Sequence, residues 1–179
     1  MIDDLVTAKR LSEVFPDVAE RWLRVRADMY DLHVYQIRVS DGLRSFGRQW
    51  EYWGKGRTKD KSGRWKVTDS AKIVTYAVPG QSYHQYGMAI DTCFMGNDPY
   101  LSTIPIGECE KLWNEYGRLC IVHGLQWGGN FKKPDRPHCQ VTYGLSIHAV
   151  QIIYEDKGIK GVFERCRAFL ACGTETGDM

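Results

Sequence analysis

The sequence predicts an α+β fold, with a small β-sheet and helices packed against it. Two segments, over 16–29 and 108–123, carry apolar residues at the three-to-four spacing of an amphipathic helix. Several shorter segments alternate apolar and polar residues, which is typical of strands. The 179 residues, 43% of them apolar and 12% aromatic, suffice for one domain with a hydrophobic core.

The first third of the chain is predicted to be mainly helical. Pro16 opens a helix of about four turns, because proline suits the first turn of a helix. A strand is predicted over 34–39, and a turn at Asp41-Gly42 ends it. A short helix follows over 46–53 and stops at Gly54.

Residues 54–72 are rich in lysine, arginine, glycine and serine, and we predict a charged loop there. Two interpretations stay open for this loop. It is either a solvated surface segment or a basic rim that attracts an acidic substrate. A short strand is predicted immediately after it, over 73–76.

The second half of the chain continues the mixture of strands and helices. The predicted elements are a strand over 87–94, a helix over 108–123, a short strand and turn over 125–130, a strand over 138–143, and two helical patches over 147–171 broken at Gly158 and Gly161. With no internal repeat or linker, we predict one catalytic domain over 1–179. Its core covers about 16–143, and a C-terminal helical extension covers 145–172.

Composition excludes several classes of protein. The net charge of +2 is too small to indicate a nucleic-acid binder, and no apolar run approaches the roughly 18 residues of a membrane span. The six cysteines form no C-x-x-C pair, which argues against a structural zinc knuckle. The N-terminus lacks the layout of a signal peptide, so we expect the protein to stay in the cytoplasm unless another factor releases it.

Three residues have the character of metal ligands. His84 precedes the predicted strand that carries Asp91, and His138 begins a later strand. Ligands held on neighbouring strands form a rigid tripod. Two imidazoles and one carboxylate suit zinc, although nickel, cobalt or manganese fit the same ligand types. Three protein ligands leave a coordination position open for water, as in zinc hydrolases.

Two further residues are candidates for catalysis. Asp135 lies three residues before His138, where its carboxylate could take a proton from water; the alternative is an aspartate that caps a loop. Arg44 follows a strand and a turn, and it could stabilise an oxyanion or hold an acidic substrate. A surface salt bridge is the alternative role for Arg44.

The metal motif resembles that of the M15 zinc peptidases. That family includes D-alanyl-D-alanine carboxypeptidases and dipeptidases, and phage endolysins that cut the L-alanyl-D-glutamate bond of peptidoglycan. The similar positions are Ser82-x-His84-x-x-Gly87-x-Ala89-x-Asp91, Asp135-x-x-His138, Gly42-Leu-Arg44-Ser45 and Gln49, and Trp127-Gly128-Gly129, of which the last is most like the endolysin branch.

The resemblance implies a fold and a set of site residues. The fold is a small antiparallel sheet with helices packed against it, a zinc fold of the Hedgehog/DD-peptidase type. One Zn²⁺ per chain would be bound by His84, Asp91 and His138, with Asp135 as the general base and Arg44 beside it as a second catalytic residue. The residues predicted to bind substrate are Ser82, Gln49 and Trp127.

The resemblance also implies a function. D,D-cleaving relatives usually carry glutamate at the base position, so Asp135 favours a zinc-dependent endopeptidase, an endolysin, that hydrolyses the L-alanyl-D-glutamate bond. A D-alanyl-D-alanine carboxypeptidase or dipeptidase stays open, as does a non-catalytic zinc-binding module for wall recognition. The expected partner is the peptidoglycan stem peptide, with no nucleic acid, no stable membrane association and a monomeric state. We expect the enzyme to wait in the host cytoplasm until a holin releases it to the cell wall.

Overall fold

A computed structural model describes residues 4–33 and 35–174 of the chain. The helices are α1 (Leu5–Glu13), α2 (Pro16–His33), α3 (Phe46–Gly54), α4 (Ile106–Val122) and α5 (Ile147–Thr174). The strands are β1 (Ile37–Asp41), β2 (Arg57–Lys59), β3 (Trp65–Val67), β4 (Ala89–Phe94), β5 (Gln126–Trp127) and β6 (His138–Gln140).

Four strands form one antiparallel sheet in the order β1-β4-β6-β5. Strand β4 is central, and its register places Asp91 directly opposite His138 on β6. On the other side of β4, a register shift between Val39 and Asp41 brings Asp41 opposite Asp91. The predicted class, a small antiparallel sheet with helices packed against it, is confirmed.

The core lies between the sheet and helices α2 and α4. The predicted apolar stripe of α2 is fully buried, at Val18, Trp22, Val25 and Met29. The indole Nε1 of Trp22 donates a hydrogen bond to Thr92 Oγ1 on β4 at 2.8 Å, and Tyr116 OH on α4 lies 2.8 Å from the same oxygen. This buried chain of hydrogen bonds joins both helices to the strand that carries Asp91.

Helix α5 bends at Gly158 and packs on the same core. Gly158 has φ 61° and ψ −162°, so the predicted break is confirmed there, whereas Gly161 stays helical and the second predicted break is wrong. Val150, Val162 and Cys166 are fully buried. The extension therefore contributes to the core; the prediction of one catalytic domain over 1–179 stays a prediction.

Helix α1 was not predicted from the sequence. Only two of its residues, Thr7 and Leu11, are buried. A helix with so small a buried face shows little of the apolar periodicity by which helices are predicted. The Asp4 carboxylate caps it by accepting hydrogen bonds from the backbone N–H groups of Val6 and Thr7.

Two predictions between α3 and β4 are wrong. Residues 54–72 are not a simple loop, because β2 and β3 pair there as an antiparallel hairpin. The alternation of apolar and polar residues that predicts a strand is missing from β2, because its sequence, Arg-Thr-Lys, has no apolar residue. The predicted strand over 73–76 has no strand partner among the described residues. Ile73 follows a 3-10 turn over Ser70–Lys72 in extended conformation, and the segment ends in a bend at Tyr76.

Several strand boundaries also differ from prediction. The strand expected over 138–143 ends at Gln140, because the chain turns away at 141–144. The strand expected over 34–39 begins at Ile37, and Val34 lies outside the described residues. Over residues 4–33 and 35–174, no helix combines the length and apolar character needed to cross a membrane.

We expect Gly87→Ala to destabilise the protein by about 1–3 kcal/mol, because alanine is strained at φ 66° and its Cβ would lie 3.0 Å from the Phe163 ring. The free energy of unfolding in urea measures the effect. Gly107→Ala is the matched control, since a Cβ at Gly107 on α4 meets no atom within 4 Å. Equal stability of the two variants would show that the left-handed turn at Gly87 does not constrain the fold.

Candidate active site

His84, Asp91 and His138 come together in one cluster. Asp91 Oδ1 lies 3.0 Å from His84 Nε2 and 3.1 Å from His138 Nδ1, and these two nitrogens lie 3.1 Å apart. Both histidines are buried, with 2% and 8% of their surface exposed. The structure thus places the three predicted ligands where their ligand atoms could hold one metal ion.

The local fold sets the position of each member. His84 lies in a 3-10 turn over Tyr83–Tyr86, and Gly87 ends that turn in the left-handed conformation and leads into β4. The backbone N–H of Arg44 donates to the His84 carbonyl at 3.0 Å, which fixes the turn against the chain after β1. Asp91 and His138 face each other across β4 and β6.

The second nitrogen of each imidazole faces a carbonyl oxygen. His84 Nδ1 lies 2.8 Å from the Gly42 carbonyl, and His138 Nε2 lies 2.9 Å from Gln140 Oε1. Because a carbonyl oxygen only accepts, each of these nitrogens carries the proton of the neutral ring. The tautomers, assigned from this network, turn two nitrogen lone pairs and Asp91 Oδ1 towards one point. Three acceptors so close together repel one another unless a cation lies between them, so the donor set fits a bound metal.

Protons compete with such a cation for the cluster. Burial alone would raise the pKa of Asp91, but the charge of His84 and the hydrogen bonds from both histidines hold it well below its ordinary value. Burial lowers the pKa of His138, yet the hydrogen bond and negative charge of Asp91 outweigh this and raise it to about 9. A metal ion must therefore displace a proton from the cluster.

Arg44 lines the cleft and holds Asp91 there. It is 7% exposed, and its guanidinium donates to Asp41 Oδ2, Gln49 Oε1 and Asp91 Oδ2, each at 2.9 Å. The guanidinium thus lies at the cleft edge but is paired, and the predicted direct role of Arg44 in catalysis stays a prediction. Since Asp91 Oδ2 is occupied by Arg44, Oδ1 is the oxygen turned towards the histidines. Arg44 is a positioning residue.

Asp135 lines the same cleft as the cluster. Its backbone N–H donates to the Gly128 carbonyl at 2.9 Å, and a Cβ on Gly128 would overlap the Asp135 carbonyl oxygen. The residue as a whole is exposed to solvent, but desolvation of its carboxyl group by the surrounding protein raises its pKa, and the negative charge of Asp91 adds to this. A bound cation would oppose this shift. The carboxylate is not part of the three-residue cluster.

The residues predicted to bind substrate lie in different places. Ser82 lines the cleft, and its hydroxyl makes no capping hydrogen bond to the turn that follows. Gln49 is fully buried, and it bonds Arg44 and the Ala77 carbonyl, so it cannot touch a substrate in this structure. Trp127 is 8% exposed and outside the cleft lining. Its Nε1 donates to the Arg136 carbonyl at 2.8 Å, which secures the loop of Asp135.

Sequence reasoning missed three parts of the site. Gln140 orients His138, and its place two residues further along the same strand face was a usable signal. Asp41 was interpreted only as a turn residue, but its carboxylate holds Arg44. Two further residues line the cleft, Tyr52 on α3 and Lys55 just after it, and no sequence motif indicates either of them.

A family model matches residues 77–141, a range that includes His84, Asp91, Asp135 and His138. It is a peptidase M15 model described as D-alanyl-D-alanine carboxypeptidase. The part of the chain that carries the site thus matches an M15 peptidase model, which confirms the resemblance inferred from the sequence.

Two known proteins are similar to this chain. The peptidoglycan L-alanyl-D-glutamate endopeptidase CwlK of Bacillus subtilis is 35% identical over 114 residues, a match that covers 59% of this chain and 60% of the relative's length. The crystal structure of the Serratia marcescens L-Ala D-Glu endopeptidase ChiX is 24% identical, with a TM-score of 0.43, and covers 76% of this chain and 86% of that one.

We expect Gln140→Ala to weaken Zn²⁺ binding roughly 10- to 100-fold, because His138 loses the acceptor that fixes its tautomer. Competition titration against a chromophoric chelator measures the dissociation constant. Gln151→Ala on α5 removes a hydrogen bond to Gly80 away from the cluster and serves as the matched control. An unchanged constant for Gln140→Ala would disprove the role of this acceptor.

The metal-free protein should lose stability as pH rises from 6.5 towards 9. Folding raises the pKa of His138 from 6.5 to about 9, so the stabilisation is complete below pH 6.5 and disappears as pH passes the folded value. Added Zn²⁺ should stabilise the protein more as pH rises over the same range, because fewer protons compete with it. Thermal unfolding at a series of pH values, with chelator and with Zn²⁺, tests both trends. His138→Gln should abolish the loss of stability of the metal-free protein between pH 6.5 and 9.

Proposed function

We propose that this protein is a zinc-dependent peptidoglycan endopeptidase that hydrolyses the L-alanyl-D-glutamate bond of the stem peptide. The observation that carries the proposal is the placement of Asp135 in the same cleft as the cluster of His84, Asp91 and His138. Three ligands with an unligated acid beside them suit metal-assisted hydrolysis. The similarity to CwlK supports the choice of substrate.

The cleft offers suitable surroundings for a peptide. Its volume is about 440 Å³, and its lining includes the aromatic side chains of Tyr52, Tyr100 and Phe131. Lys55 brings a positive charge to the same lining. In the stem peptide, D-glutamate carries a free carboxylate next to the bond to L-alanine. Lys55 would offer that carboxylate a positive charge within the cleft.

His84, Asp91 and His138 would hold the zinc ion. When bound, zinc supplies Lewis-acid polarisation of the scissile carbonyl and lowers the pKa of water in the site. The chain's own part is to keep both imidazoles neutral and oriented, through the Gly42 carbonyl and Gln140. Arg44 keeps the carboxylate of Asp91 turned to the histidines.

Asp135 would move the proton. Its carboxylate accepts a proton from the attacking water and returns it to the leaving amine of D-glutamate. Burial and the charge of Asp91 raise its pKa, which makes the carboxylate a stronger base than a solvated aspartate. The short hydrogen bonds of the loop, from Asp135 N to the Gly128 carbonyl and from Trp127 to Arg136, hold the acid in place.

Cleavage of D-alanyl-D-alanine is the second candidate, because the matching family model carries that description. The base favours the first candidate. Asp135 is one methylene shorter than the glutamate usual in D,D-cleaving relatives, so its carboxylate withdraws by about 1.5 Å. The CwlK relative, which cuts L-alanyl-D-glutamate by name, is 35% identical to this chain.

The biological setting is part of the same proposal. The similarity of Trp127-Gly128-Gly129 to the endolysin branch supports a phage lysin that acts on host peptidoglycan. Such an enzyme would reach the wall from the host cytoplasm after release by a holin, and it would work as a monomer.

Mass spectrometry of digested peptidoglycan tests the function. New N-terminal D-glutamate, or D-isoglutamine where it is amidated, is the expected product. Release of terminal D-alanine would instead establish the second candidate. No cleavage of any bond by zinc-loaded protein would leave the non-catalytic wall-recognition module as the function and overturn the proposal.

Asp135→Ala should lower the rate of this digestion by about 100-fold or more, because no other group replaces the proton carrier. Zinc content, measured by elemental analysis, should stay at one ion per chain. Asp156→Ala is the matched control, since Asp156 is an exposed carboxylate on α5. Wild-type digestion by Asp135→Ala would show that Asp135 is not the base.

A further inference from the structure

Three tryptophans form a cluster on the surface beside the hairpin of β2 and β3. Trp50 and Trp53 of α3 stack in parallel, with ring centroids 5.2 Å apart and an interplanar angle of 4°. Trp65 of β3 meets both rings edge-on, at 5.9 and 5.2 Å. Trp50 and Trp65 remain 48% and 37% exposed. The cluster therefore keeps a large aromatic surface in contact with solvent.

Cations and rings alternate from this cluster towards the loop of Asp135. The Arg57 guanidinium lies 4.7 Å from the ring centre of Trp53 and 5.8 Å from that of Tyr76. Lys133 Nζ lies 3.6 Å from the ring centre of Tyr76. Since Lys133 is two residues from Asp135, this row of side chains connects the tryptophans to the edge of the cleft.

The cluster is also joined to the cleft through α3. Tyr52 lines the cleft and neighbours Trp53 in sequence, and Lys55 lines the cleft just after the helix. Residues 74, 75 and 77, on either side of Tyr76, line it as well. A ligand that leaves the cleft on this side would meet the aromatic surface next.

We propose that this surface, defined by Trp50, Trp53 and Trp65 and named here the tryptophan platform, binds the glycan strand of peptidoglycan. A sugar ring presents polarised C–H groups that stack on the negative face of an aromatic ring. The exposed faces of these rings offer such a sugar a stacking surface, and the cations of Arg57 and Lys59 lie over the rings of Trp53 and Trp65 at its border.

The position of the platform agrees with the bond proposed to be cut, and the inference rests on that proposed function. In peptidoglycan, L-alanine is attached directly to the lactyl group of muramic acid. The scissile bond after L-alanine is therefore separated from the sugar by one residue, roughly 4 Å of chain, and the lactyl group. The glycan has to lie beside the cleft, which is where the platform is.

The local charge balance favours a glycan over a nucleic acid. Asp60 pairs with Arg64 and Lys66, at 3.7 and 3.2 Å, and Asp69 pairs with Lys72 at 2.8 Å. These acids offset much of the basic charge of the segment. A polyanion would be attracted less strongly than the lysine and arginine content alone suggests.

Two measurements on Trp50→Ala test the platform. Its ratio of cleavage rates, for intact peptidoglycan relative to a free stem peptide without sugar, should fall about three- to tenfold, which corresponds to the loss of one aromatic stacking contact. Its affinity for glycan strands stripped of stem peptides should fall by a similar factor. Trp50→Phe keeps an aromatic face and should restore most of both values.

The controls separate this inference from the proposed function. Tyr35→Ala removes an aromatic residue of similar exposure, 42%, at the far end of β1, and should change neither value. Cleavage of both substrates at an unchanged ratio would overturn the platform alone. If wild type cleaves neither substrate, the proposed function fails, and glycan-strand binding still decides the platform. Binding of a single-stranded oligonucleotide in preference to glycan strands would assign the surface to nucleic acid and overturn the inference.

The free energy of unfolding in urea, measured for each variant, shows whether the substitution has destabilised the protein. Two strands of three residues are marginal alone, so the tryptophans also stabilise them. A Trp50→Ala protein that loses near-ultraviolet circular dichroism but keeps wild-type glycan affinity would show that the cluster is purely structural.

Discussion

The site depends on the two oxygens of one carboxylate. Asp91 Oδ2 accepts from the buried Arg44, which leaves Oδ1 between the nitrogens of His84 and His138. Arg44 is in turn held by Asp41 and Gln49. This network keeps a negative charge buried at a fixed orientation, and the cost of burying that charge is offset by paired cations or a metal. If the carboxylate could rotate, the three acceptors would not converge.

The sheet and core make this orientation possible. Asp91 lies on the central strand, so both neighbours of β4 contribute to the site: β1 through Asp41 and β6 through His138. The strand is anchored from behind by the hydrogen bond between Trp22 and Thr92, one residue from Asp91. Successive side chains of β4 point to opposite faces of the sheet, so Thr92 contacts the helices of the core while Asp91 faces the cleft.

The sequence was sufficient for the ligands but not for their supports. His84, Asp91 and His138 were predictable because ligand chemistry limits which residue types serve, and the structure brings them together. The apolar stripe of α2 was predictable from its period. The burial of Gln49 and Trp127 was not, because packing against Arg44, Gly117 and Gly129 follows from tertiary contacts. The hairpin was not predicted because β2 has no apolar residue, and its contact with α3 is made by the rings of Trp65 and Trp53, a packing that no sequence pattern indicates.

The choice of scissile bond is the point at which these supports affect function. Asp135 is placed by its backbone, through Gly128 and the loop held by Trp127, so a shorter side chain is not compensated by a flexible loop. In its proposed role as base, Asp135 would fix where the leaving amine must lie, to within roughly a C–C bond length. In the proposed arrangement, the sugar end of the substrate would leave the cleft on the side of Tyr52, next to the tryptophan platform. The proposed base and the proposed platform would then hold one substrate at two points, the peptide at Asp135 and the glycan at the tryptophans, and their separation would contribute to the choice of bond.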